Sequence, residues 1–109
     1  MLHSLNKLRG YQIATGDGRI GTLADALVDD ERWTVRWFVV DTGGWLPGGR
    51  VLIGLDWIDG VAFADREFVV GHTCEEIKGA PPFEPHTAVN REVEVRLYDY
   101  YGRPAWWEG

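Results

Sequence analysis

The chain has 109 residues and suits one domain with a modest core. Eleven Lys and Arg against seventeen Asp and Glu leave a net charge of −6, a field that repels nucleic-acid phosphates and anionic lipid surfaces. A single cysteine, Cys74, excludes an internal disulfide, and no apolar run approaches the roughly 20 residues needed to span a bilayer. The expected location is therefore the cytoplasm, with no membrane insertion and no nucleic-acid partner.

Taken in chain order, residues 8–70 read as strands punctuated by turn chemistry. Leu8 to Ala14 leads into Thr15-Gly16-Asp17-Gly18, where glycines permit a tight reversal. Arg19 to Val28 follows, and its apolar phase shifts midway, which predicts a bulge or bend near Gly21 to Ala24. Asp29-Asp30-Glu31 forms a polar turn. Trp33 to Asp41 carries the strongest strand signal. Val35, Trp37 and Val39 share one face and Phe38 and Val40 the other, so the second half is apolar on both sides. One face suits a barrel interior; the other needs a cover from the C-terminal segment or another protomer. A glycine-rich loop, 41–49, returns to a strand at Arg50 to Ile53. Leu55 to Ile58 is a linking turn, and Val61–Ala64 with Glu67–Val70 reads as a hairpin around Asp65-Arg66.

Thr73-Cys74-Glu75-Glu76 has the spacing of a capping box, with Lys78, Gly79 and the prolines beyond closing a short helix. Residues 81–87 are a proline-rich linker. Glu92 to Leu97 alternates like a strand, yet Val89, Val93, Leu97, Tyr100 and Tyr101 fall at helical spacing between an Asn90 cap and a Gly102 stop, and a helix is the reading adopted. Trp106 and Trp107 follow and are expected to be docked. The expected fold is mainly β: a six-stranded SH3-like barrel over residues 1–80, then a linker and a C-terminal helical aromatic arm over 81–109.

Chemistry-bearing motifs are weak. The loop at 43–49 lacks the lysine and following helix of a phosphate-binding loop. Cys74 at a helix start has no His and Asn pair arranged near it, His72 being two residues away on a different side of the turn, and His3, His72 and His86 are scattered without metal-ligand spacing. The numerous aspartates are read as turn formers. No catalytic residue, metal or cofactor is expected. The aromatic load is the strongest signal: six Trp, four Tyr and four Phe exceed what a small barrel houses. Trp33, Trp37, Trp45, Arg50, Tyr100, Tyr101, Trp106 and Trp107 are the candidate interface residues, with Trp33 and Trp37 assigned to one strand face and a homodimer burying the C-terminal arm as the favoured assembly.

Several segments in this order resemble PRC-barrel domains: Leu8-Arg9-Gly10-Tyr11, Asp17 to Gly21, Trp33 to Gly43, Trp45 to Gly48, and Arg50 to Ile53. Tyr100 to Pro104 with Trp106-Trp107 resembles the end of stand-alone bacterial members. The resemblance implies an SH3-like barrel, shared with the cytoplasmic domain of the photosynthetic reaction-centre H subunit and the C-terminal domain of a ribosome maturation factor, and a role in contacting another macromolecule without bond chemistry. The expected function is a non-catalytic protein-binding or assembly module. The alternatives are an accessory subunit of a membrane electron-transfer complex like the H subunit, though without its membrane helix, and a small-ligand-binding barrel.

Overall fold

The computed structural model describes residues 2–5, 9–29, 31–43, 49–81 and 89–108. Strands β1 (Leu2–Leu5), β2 (Gln12–Thr15), β3 (Gly18–Asp29), β4 (Thr34–Asp41), β5 (Arg50–Gly54), β6 (Ile58–Ala62) and β7 (Glu67–Val70) precede helices α1 (Cys74–Lys78) and α2 (Arg91–Tyr101), with short 3-10 turns at Leu55–Trp57, Phe63–Asp65 and Trp106–Glu108. The protein is mainly β, as expected, with one short helix and one C-terminal helix. The sheet path runs β5-β4-β3-β2-β7-β6.

β3 organises this path because its twelve residues serve three neighbours. Its first half pairs with β2, its second half with β1 on the same edge, and β4 runs along the other edge. Serving all three requires the strand to bend, and bulges supply the bend. Ile20 is the extra residue opposite Ile13 and Ala14, and Ala24 the extra residue opposite Val39 and Val40. The phase shift in the sequence near Gly21 to Ala24 is thus two register shifts. Gly21 is required there: a Cβ would overlap the carbonyl oxygen of Asp41 and lie 2.8 Å from its carbon. A third shift makes Arg36 the extra residue on β4, which matters below.

The sheet curls but is not closed, contrary to the full barrel closure expected from the sequence. Its two end strands, β5 and β6, are consecutive in the chain and separated only by the turn Leu55–Trp57, so their near ends are held together. No ladder joins them among the described residues. Trp57 fills the seam instead: it is fully buried, lies so close to Gly54 that a Cβ there would sit 2.7 Å from the indole, and its carbonyl accepts from Gly71 N–H. β2 and β7 pair in parallel, which ties residues 12–14 to 67–69.

Two departures concern the ends of elements. β1 lies in a segment that carries no strand signal of its own; it forms by adding to the free edge of β3. β6 starts at Ile58, three residues before the sequence pattern suggested, because Asp59 is bulged out and breaks the alternation.

The double-sided apolarity of β4 is accounted for by two hydrophobic layers. Phe38 meets Phe68 at 4.9 Å between ring centroids on the inner side of the sheet. On the outer side Trp37 meets Trp57 at 5.5 Å and Tyr98 at 5.2 Å. The cover over the second face is the chain's own helix α2. Gly21→Ala is expected to destabilise the fold by about 2 kcal/mol or more, read as a lower urea midpoint, because backbone must move to admit the methyl.

Candidate functional site

The C-terminal arm is built around a buried carboxylate. In α2 the buried positions are Glu94, Leu97, Tyr98 and Tyr101, spaced i, i+3, i+4, i+7. The helix has the expected caps: Asn90 Oδ1 accepts from Val93 N–H, and Gly102 ends it in the left-handed region at φ 66°. Its buried face differs from the one the apolar residues suggested. Val93 is half-buried, while Val95 and Tyr100 are exposed.

Glu94 takes an inward place at 5 % exposure because two indoles satisfy it. Its Oε2 accepts from Trp37 Nε1 at 2.8 Å and from Trp106 Nε1 at 2.7 Å. One oxygen thus joins the sheet, the helix and the terminal turn. Charge-assisted hydrogen bonds of this kind are worth about 1.5–3 kcal/mol each.

Arginines close over the two terminal indoles. The Arg36 guanidinium, re-aimed by its bulge, lies 4.2 Å from the Trp106 ring centroid, with Arg32 at 5.4 Å and Arg91 at 5.1 Å. Arg91 also sits 3.7 Å over Trp107, which meets Trp106 at 5.5 Å and Tyr98 at 5.6 Å. Behind Arg36, Asp29 is 3 % exposed; its Oδ2 lies 3.7 Å from Arg36 and 3.9 Å from Arg32.

A second junction sits where α1 meets α2. His72 is buried, its ring tilted 4.6 Å from that of Tyr101 and edge-on to Trp57 at 5.4 Å. Arg103 Nε–H donates to His72 Nε2 at 3.1 Å, so Nδ1 carries the proton and donates to Glu76 Oε2 at 2.9 Å. Tyr100 hydroxyl donates to the Glu76 carbonyl at 2.6 Å, pinning the two helices together. Burial pushes the Tyr98 hydroxyl up to about 12, and Tyr101 is raised further for the same reason. The N-terminus of α1 has the expected capping box between Thr73 and Glu76, and Cys74 N–H also donates to Asp17 Oδ1 at 3.0 Å. Cys74 Sγ lies 3.3 Å from Thr15 Oγ1, so the thiol is packed against the β2–β3 turn.

The candidate interface residues therefore divide. Trp37 is fully inside and Tyr101 nearly so, both in the layer between sheet and α2. Trp106 and Trp107 are half-buried on the chain's own sheet and helix, and Arg50 is half-buried at the start of β5. Tyr100 is 42 % exposed but anchored through its hydroxyl. Trp45 lies outside the described residues. Trp33 is not on a strand face with Trp37: it ends the β3–β4 turn at φ 52° and is 75 % exposed. Sequence reasoning missed Glu94, Asp29, Arg36, Arg91 and Arg103. The available signal was Glu94 itself, a carboxylate in helical register with Leu97, Tyr98 and Tyr101.

A curled sheet with a long, bulged β3 and a capped helix behind it defines a small β module. The sequence pattern of the PRC-barrel domain matches residues 2–71, well over half the chain, and the chain belongs to that family. The chain is also similar to an uncharacterized protein of Deinococcus radiodurans, 49 % identical over 35 residues, which is 32 % of this chain and 13 % of that relative's length. Among the described residues no helix is long and apolar enough to cross a membrane.

Glu94→Ala is expected to lower stability by about 2–4 kcal/mol, since it strands two indole N–H groups, and to red-shift tryptophan emission as Trp106 loosens. Glu94→Gln keeps an acceptor oxygen and is expected to lose less than half as much. The α1 junction sets an acid limit. Asp17 is held below its ordinary 3.8 by the Thr15 hydroxyl and then Cys74 N–H, and Glu76 below its ordinary 4.5 by Thr73 N–H and then His72. Both folded values lie below the unfolded ones, so the unfolded chain binds more protons in between. Their stabilisation is complete above about pH 4.5 and drains as pH falls through the folded values. In urea titrations from pH 7 to 3, Asp17→Asn/Glu76→Gln is expected to lose stability less steeply below pH 4.5 than the parent; parallel curves refute this.

Proposed function

We propose that the chain is a non-catalytic protein-binding and assembly module of the cytoplasm that forms a symmetric homodimer, with Trp33 as the central contact. The observation that carries the reading is the conformation and exposure of Trp33. A left-handed backbone is unfavourable for any residue with a Cβ by roughly 1 kcal/mol, and glycine or asparagine is the usual occupant of such a turn position. Here the position holds the largest side chain available, and three-quarters of it faces solvent. Local strain combined with an exposed indole suits a contact anchor, because tryptophan is the residue most enriched at interface centres.

Other features support the reading. Glu94, His72 and Cys74 each engage in structural contacts, as described above. The arm itself packs on its own sheet, so the proposed shared surface shifts from the arm to the β3–β4 turn. A lone thiol, packed against Thr15, suits a reducing compartment.

Multi-angle light scattering and thermal melting of the parent and Trp33→Gly test this reading together. The parent is expected to be dimeric at micromolar concentration. Trp33→Gly is expected to be monomeric, with a monomer melting temperature equal to or above that of the parent monomer, since glycine relieves the turn. A parent that stays monomeric at millimolar concentration overturns the homodimer, and a variant that still dimerises with unchanged affinity removes Trp33 from the contact.

A further inference from the structure

His72 sits where several parts of the chain meet. It lies between β7 and α1, and its ring packs against Trp57 from the turn before β6 and against Tyr101 from α2. Its side chain is 7 % exposed. Both ring nitrogens are engaged, and their partners differ in kind. Glu76 Oε2, on α1, lies 2.9 Å from Nδ1. Arg103 Nε, one residue past the Gly102 stop of α2, lies 3.1 Å from Nε2. A guanidinium only donates and keeps its proton, so Nε2 must offer a lone pair. The Arg103 contact therefore exists only while the ring is neutral.

A second proton on the ring acts oppositely on the two sides. At Nδ1 it turns the hydrogen bond to Glu76 into an ion pair. At Nε2 it sets donor against donor and cation against cation, between nitrogens 3.1 Å apart. The surrounding groups leave that conflict in place. Asp59 of β6 holds its carboxylate against Gly71, next in the chain, which favours a charged ring. The Tyr100 hydroxyl is committed to the Glu76 carbonyl, and burial raises the Tyr101 hydroxyl, which stays neutral. Glu76 is held below its ordinary 4.5 by Thr73 N–H and then His72, so it remains a carboxylate across the range in which imidazoles ordinarily gain a proton. The Glu76 side holds through that range, and the Arg103 side is the one that breaks.

We propose that His72 is a proton-operated latch on the C-terminal turn: the neutral ring holds Arg103 and steadies residues 103–108, and the protonated ring keeps Glu76 and lets Arg103 go. The backbone marks the hinge. Gly102 reverses the chain at φ 66°, and Arg103 N–H stays on the Tyr98 carbonyl at 3.0 Å whatever its side chain does. Beyond that point the Arg103 side chain is a tether on the stretch that carries Trp106 and Trp107. Release loosens this stretch and leaves the sheet and α2 joined, because Trp37 still donates to Glu94. The latch is closed at neutral pH and opens as pH falls. It is separate from the Trp33 contact and stands or falls independently of the proposed dimer.

Nitrogen-15 spectra of the His72 ring, taken with hydrogen exchange of the Trp106 indole N–H, test it on the full chain between about pH 8 and about pH 5. At the upper end the ring is expected as the Nδ1–H tautomer. As pH falls, it is expected to take up its second proton. With the same midpoint, protection of the Trp106 indole N–H, referenced to free tryptophan at each pH, is expected to fall about fivefold. His72→Gln offers an amide oxygen to Arg103 that does not titrate, and is expected to keep the protection constant across the range. Arg103→Met is expected to show the low protection at every pH while the His72 ring still titrates. The parent measurement decides the matter even where a variant folds poorly. An Nε2–H tautomer at the upper end, a ring that gains no proton by the lower end, or indole protection that ignores the ring's titration overturns the latch. A His72→Gln chain that folds and keeps the parental step assigns the step to another group and overturns it equally.

Discussion

The structure depends on one carboxylate placed where a hydrophobe would ordinarily sit. Glu94 presents a single oxygen to two indole N–H groups, one from the middle of β4 and one from the last turn of the chain. An indole is hard to bury because its N–H must find an acceptor, and a carboxylate is hard to bury because its charge must be met. Placed together, each removes the other's penalty. The pairing lets Trp37 be fully inside without an orphan donor and fixes the rotation of α2 about its own axis. A helix held by apolar contacts alone has several nearly equivalent ways to sit on a flat sheet face.

That constraint explains why the aromatic content is so high for so short a chain. A curled sheet of this size has a single thin interior, in which Phe38 and Phe68 meet. A second layer on the outer face of β4 gives Trp37, Trp57, Tyr98, Tyr101 and His72 a common home. The arginines act as its roof: Arg36 from β4 and Arg91 from the start of α2 lie over Trp106 and Trp107. Guanidiniums suit this role because their planar faces stack on rings. The roof explains how Trp106 and Trp107 stay half-buried in a segment that follows the last helix.

Much of this organisation was legible in the sequence, and the exceptions have identifiable causes. The two-sided apolar run in β4 required a cover, and the C-terminal segment was one of two candidates for it. The capping box at Thr73 and the Asn90 and Gly102 boundaries rest on local chemistry and were read directly. The face of α2 was misjudged because hydrophobic periodicity treats a glutamate as outward, and here hydrogen bonding to distant indoles overrides that rule. The grouping of Trp33 with Trp37 assumed unbroken alternation, whereas the strand starts at Thr34 and is bulged at Arg36. β1 and the seam at Trp57 depend on which edges are left free after folding, a global property that no local pattern encodes. The junction of His72 with Arg103 joins residues 31 apart with both helices between them in the chain, and nothing near either residue announces it.

The location of the arm also bears on how the chain comes into being. Every described strand has been synthesised once Val70 emerges, before any of α2. Until Glu94 follows, the outer side of β4 presents a bare tryptophan and its neighbours to the surroundings. A chain terminated before α2 would leave those rings uncovered and adhesive, a species that cellular quality control is suited to recognise. Helix α2 thus works as a seal over the outer face of β4.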